Sequence, residues 1–82
     1  MEIRILSKPG CHLCDKAKAV IERVASAFDV TITEVDITGD AELEAKYRFH
    51  IPVVLIDGKE RARHRVSEEG LRKLLTSIAP RR

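Results

Sequence analysis

Tryptophan is absent from the 82 residues, methionine occurs once, and Phe28, Tyr47 and Phe49 are the only aromatics. So few rings exclude the stacking platform that single-stranded nucleic acid needs, and nucleic acid is not an expected partner. Cysteine occurs twice, too seldom for the multi-bridge framework of a small secreted domain. No apolar run nears the ~20 residues of a membrane span, so no membrane association is expected. Met1-Glu2-Ile3-Arg4 lacks the basic-then-apolar layout of a secretory signal, and a cytoplasmic location is the expectation. Repeats, linkers and low-complexity stretches are also missing. One domain over residues 1–82 with a modest core follows.

Charge is plentiful but uneven. Residues 1–58 carry 7 basic and 10 acidic side chains, net −3, whereas residues 59–82 carry 8 basic and 3 acidic, net +5. The basic end includes Lys59, Arg61, Arg63 and Arg65, which strict alternation would place on one face of a strand. Protection of a sheet edge from pairing is the simplest account of that stripe, and steering of an anionic partner is the other.

Read in order, Glu2 to Leu6 alternates as a short strand and Ser7 to Gly10 forms a loop. Leu13, Ala17, Val20, Ile21, Val24 and Phe28 recur at helical spacing and predict a helix from Cys11 to about Phe28. Val30 to Ile37, rich in β-branched residues, predicts a second strand parallel to the first. Asp40 caps a short helix over Ala41–Arg48, with Leu43 and Tyr47 on one side. The apolar run Ile51-Pro52-Val53-Val54-Leu55-Ile56 predicts a central strand with proline at its first position. Asp57-Gly58 turns the chain into an edge strand over Lys59–Val66. Ser67 caps a last helix, Glu68 to about Ile78, and Pro80-Arg81-Arg82 is expected to fray.

The two cysteines sit together, as Cys11-His12-Leu13-Cys14, where the first strand gives way to the long helix. Backbone N–H groups of a first helical turn lack intrahelical partners, and the helix dipole adds roughly half a positive charge there. A thiolate at Cys11 is stabilised by both, and Cys14, three residues on, shares its helix face within disulfide reach. A stabilised thiolate is also a good leaving group, which suits a sulfur that must be expelled when a mixed disulfide resolves. Asp15 in that turn reads as dipole compensation. The same pair is open to a metal reading. Tetrahedral zinc needs four ligands, and His12, His50 and His64 are the other candidates; an iron–sulfur cluster shared between two chains is a further alternative.

The element order, the Lys8-Pro9-Gly10-Cys11-His12-Leu13-Cys14 stretch and the His50-Ile51-Pro52-Val53-Val54 step together resemble the glutaredoxin-like branch of the thioredoxin fold. The resemblance covers nearly the whole chain and implies an α/β protein of order β-α-β-α-β-β-α, a mixed four-stranded sheet flanked by three helices. It implies a cis Pro52 facing the cysteines, Cys11 as exposed nucleophile and Cys14 as resolving thiol. Ile51 would offer its backbone to an extended substrate, Lys8 would meet a substrate carboxylate, and His12, Leu13 and Ser67 would complete the contact surface. Two stretches depart from the family. His12-Leu13 stands where glutaredoxins commonly have Pro-Tyr, and His64-Arg65 replaces a glycine pair that helps to hold glutathione, leaving only Ser67-Glu68 in agreement.

The expected activity is dithiol–disulfide exchange on protein disulfides or glutathione mixed disulfides. Glutathione or a reductase would supply electrons to a monomer without a tightly bound cofactor. The rival readings are the metal or iron–sulfur carrier and a redox-silent adaptor of the same fold.

Overall fold

The computed structural model describes residues 1–82. Its elements are β1 (Glu2–Ser7), α1 (His12–Ala25), β2 (Thr31–Asp36), a 3-10 turn (Ile37–Gly39), α2 (Ala41–Tyr47), β3 (Val53–Ile56), β4 (Lys59–Arg63) and α3 (Glu68–Ile78). The strands lie in the order β2-β1-β3-β4, with β1 parallel to β2 and antiparallel to β3, and β3 antiparallel to β4. This is the mixed four-stranded sheet with three helices that the resemblance implied.

Strand alternation divides the interior into two. Ile3 and Ile5, paired with Ile56 and Val54, face α1 and α3 and pack with Ile21, Val24, Phe28, Leu71 and Leu75. Leu6 and its partner Val53 point the other way, into a smaller cluster with Ile37, Tyr47 and Ile51. Cys14, from the first turn of α1, joins this second cluster. The cysteine pair is thus anchored in a core of its own beside the main one.

Several boundaries differ from the sequence reading. The helix expected to reach Phe28 ends at Ala25, but Ala27 and Phe28 donate to Val24 and Ala25 in i→i−3 bonds, so the helical spacing persists past the helix. Ile37 leaves the second strand because the Asp36 carboxylate accepts the Thr38 amide at 2.9 Å and its hydroxyl at 2.6 Å, which starts the 3-10 turn. The Ile51–Pro52 peptide is cis, and pairing begins only at Val53 rather than at Ile51. The last strand stops at Arg63 because His64 takes a left-handed backbone, φ 67°.

Two expectations fail outright. The basic side chains do not share a face. A bulge between the Val54–Ala62 and Leu55–Glu60 pairs makes Arg61 an extra residue, so Lys59, opposite Ile56, and Arg63, opposite Val53, lie on opposite sides. Glu60 and Arg63 are brought to the same side, where Nε and Nη2 of the arginine donate to the carboxylate at 2.7 and 2.9 Å. Nor does the C-terminus fray. Asp29 donates to the Pro80 carbonyl, Arg82 donates to the Ala27 carbonyl, and the Arg81 guanidinium lies over the buried Phe28 ring.

Candidate redox site

Cys11 is the N-cap of α1, with extended backbone, and its sulfur accepts the Cys14 amide at 3.2 Å. Its own carbonyl receives the first helical bond, from Asp15. A cap side chain normally satisfies one of the orphan amides of the first turn, and here sulfur fills the place that an oxygen usually takes. Cys11 and Cys14 form a disulfide, with Cα atoms 5.2 Å apart. Their exposures differ. Cys11 is half-buried, while Cys14 is only 2% exposed against Leu6, Ile37, Tyr47, Ile51 and Val53. One sulfur is therefore available to an incoming partner and the other is sheltered behind it.

The neighbouring candidates fall into three groups. His12 is exposed and Leu13 half-buried on the first turn, and Lys8 is exposed on the preceding loop. Lys8 shares a polar cleft with Ser7, Asp15, Glu34 and Asp36. Pro52 is fully buried, and Ile51 packs in the same cluster as Cys14. The Ile51 amide donates to the Tyr47 carbonyl at 3.1 Å. Ser67 caps α3, its hydroxyl oxygen accepting the Gly70 amide at 3.0 Å.

Three features escaped the sequence reading. The His64 amide donates to the Pro52 carbonyl at 2.8 Å and to the His50 carbonyl at 3.2 Å, tying the end of β4 to the cis-proline loop. The left-handed backbone that makes this possible is one that glycine adopts freely, and His64 adopts it too, its ring edge-on to His50 at 5.8 Å. Second, Ser7 is 4% exposed and donates to Glu34 Oε2 at 3.0 Å, while Lys18 donates to Oε1 at 3.1 Å. The hydrogen bond to Glu34, and then its charge, raise the Lys18 pKa. The signal was present, since Ser7 shares strand parity with Ile3 and Ile5 and so had to face inward. Third, Phe49 is 74% exposed just before His50, with the Arg48 guanidinium over its ring. No set of three histidine, cysteine or acidic side chains converges as a metal-binding group, and no helix is long and apolar enough to cross a membrane.

Comparison with known proteins agrees with the geometry. Residues 2–76 match the model of the glutaredoxin-like domain (DUF836) family. A glutaredoxin-like protein of Dictyostelium discoideum is 35% identical over 77 residues, covering 87% of this chain and 71% of its own length. An uncharacterized protein of Mycobacterium tuberculosis is 32% identical over 76 residues, covering 87% of this chain and 78% of its own. Among solved structures, a structural-genomics target from X. campestris superposes with TM-score 0.74 at 28% identity, over 93% of this chain and 97% of that one. Thioredoxin 1 of Thermosipho africanus, at 22% identity and TM-score 0.68 over 94% of this chain and 92% of that one, shares the fold.

Proposed function

Since the chain belongs to the glutaredoxin-like family, we propose that it is a dithiol–disulfide oxidoreductase working through Cys11 and Cys14. The observation that carries this reading is the asymmetry of the pair: an accessible sulfur capping a helix, bonded to a sulfur sheltered in its own apolar cluster. In the reduced protein the Cys11 thiolate attacks one sulfur of a substrate disulfide and expels the other as a thiolate, which takes up a proton. The Cys14 thiolate then attacks Cys11 Sγ and expels the second substrate thiol, leaving the Cys11–Cys14 disulfide. Two electrons and two protons from an external thiol reductant restore the dithiol.

The Cys14 amide and the positive end of α1 stabilise the Cys11 sulfur whenever it carries charge, both before attack and on leaving. Ile51 contributes its carbonyl as an acceptor for an extended substrate backbone, beside the surface formed by Pro52, His12 and Leu13. Lys8 offers a cation to a substrate carboxylate. The substrates are protein disulfides or glutathione mixed disulfides. The electron donor is a reductase or glutathione, with the side chains of His64 and Arg65 occupying the ground that the family's glycines leave open. The protein works as a monomer in the cytoplasm without a bound cofactor.

A redox titration in thiol buffers, followed by mass, tests the proposal. A two-electron transition within the range of dithiol carriers, roughly −180 to −280 mV, is expected. Cys11→Ser abolishes turnover, and Cys14→Ser accumulates the mixed disulfide. Full turnover without Cys11, or failure to form the intramolecular disulfide in solution, refutes the mechanism. Visible absorbance with stoichiometric metal on the same two sulfurs after anaerobic purification would establish a metal carrier instead.

A further inference from the structure

The fold gives the charge asymmetry of the chain a location. An open cleft of about 390 Å³ runs between β4 and α3. Its apolar wall is Val54, Ala62, Val66, Leu71 and Leu74. Arg61 and Arg65 stand exposed at its rim, and neither is in an ion pair, whereas Arg63 is held by Glu60 and Glu68 is held by Arg23 and Arg72. Apolar surface beside two uncompensated guanidinium groups is complementary to a partner that carries both an apolar side chain and carboxylates.

We propose that this cleft is a second docking site for a protein partner, taking an apolar side chain from a segment whose flanking residues are acidic. A protein segment fits better than a small ligand. Small-ligand pockets enclose most of their occupant, whereas this cleft is open along the sheet edge. The partner does not join the sheet as a fifth strand, because the Arg61 bulge interrupts the regular edge. It docks through side chains, with Leu71 and Leu74 beneath and Arg61 and Arg65 beside it. The cleft also reaches Ser67, four residues after the end of β4, whose following amide at His64 is bonded to the cis-proline carbonyl. A substrate anchored here is held close to the redox end of the sheet. That last role rests on the proposed disulfide exchange, but the docking itself does not.

The test uses the full chain carrying Cys11→Ser and Cys14→Ser, so that redox chemistry is silent and its failure leaves the result unaffected. The probe is a capped, cysteine-free hexapeptide of two central leucines flanked on each side by two glutamates. Saturable binding is expected, with NMR shifts concentrated at Ala62, Val66, Leu71 and Leu74. Arg61→Glu with Arg65→Glu should weaken it about tenfold, two exposed pairs each being worth up to about fivefold. Added salt should weaken it as well. Both arginines are exposed, so the charge reversal leaves the fold intact, which the unperturbed spectrum verifies. Absence of saturable binding, equal binding of a lysine-flanked peptide, equal binding to the charge-reversed protein, or preference for a simple aliphatic carboxylate each overturns the proposal. Thiol exchange of the cysteine-bearing protein with a small disulfide should be unchanged by Arg61→Glu alone, so failure of docking and failure of the redox reading are read separately.

Discussion

Removing the carboxylate of Glu34 should destabilise the protein, and removing the Ser7 hydroxyl as well should restore most of the loss. Ser7 ends β1, immediately before the loop that carries Cys11, and is almost fully buried with its hydroxyl donated to Glu34. In Glu34→Ala that hydroxyl loses its partner. A buried polar group left unpaired costs about 1–3 kcal/mol, whereas removing both members of a bond is close to neutral. The Lys18–Glu34 pair is exposed and adds little. The polar cleft lined by Ser7, Glu34 and Asp36 lets water reach the site, which sets the cost at the low end, about 1 kcal/mol.

For a domain of this size, that loss lowers Tm by roughly 4–8 °C. Ser7→Ala alone stays within about 0.5 kcal/mol of the parent, because alanine places no polar atom in the interior. The assay is urea denaturation of parent, both single variants and the double variant, all oxidised, with the coupling taken from the cycle. Additive losses, or a Ser7→Ala variant weaker than Glu34→Ala, would show that this hydrogen bond is not what holds the end of β1.

Other perturbations have equally definite outcomes. Asp40→Ala removes the cap that accepts both the Glu42 and Leu43 amides and should cost about 0.5–2 kcal/mol by urea denaturation, because α2 is too short to stand without tertiary support and its cap. Deleting Pro80–Arg82 removes the bonds from Asp29 and to Ala27 and uncovers the Phe28 ring, so hydrogen exchange at residues 26–29 should accelerate while exchange in β3 is unchanged. The Glu68 carboxyl is held below its ordinary value by hydrogen bonds from Arg23, and Glu60 likewise by Arg63. Their contribution is complete above the unfolded glutamate pKa and disappears as pH falls through the lowered folded values. Denaturation midpoints should therefore fall on the acid side of the usual carboxylate range, and Glu68→Gln should flatten that fall. An unchanged acid limb in that variant would refute the assignment.

Much of the molecule follows from local patterning. The apolar spacing of Leu13, Ala17, Ile21 and Val24 makes α1, and the run Val53–Ile56 can only be an inner strand, because both its faces are apolar. Caps at Asp40 and Ser67 are local hydrogen bonds between a side chain and amides two or three residues on, so sequence alone places them. The cysteine spacing at a strand-to-helix junction likewise specifies a pair that can close on itself.

What the tertiary structure decided depends on partners distant in the chain. Ser7 faces Glu34 only because β1 and β2 are parallel in the observed register, and the bulge at Arg61 exists only in the pairing of β4 with β3. That one extra residue undoes the even alternation on which the basic stripe was read. It sends Arg63 to Glu60 and leaves Arg61 free beside α3. His64 holds a glycine-like backbone because its amide is claimed by the carbonyls of His50 and Pro52, and the tail is held by the residues that follow α1. The difference between the two cysteines also lies outside their motif. Cys14 is sheltered by Leu6, Ile37, Tyr47, Ile51 and Val53, which no local rule gathers and which meet only once the sheet has formed.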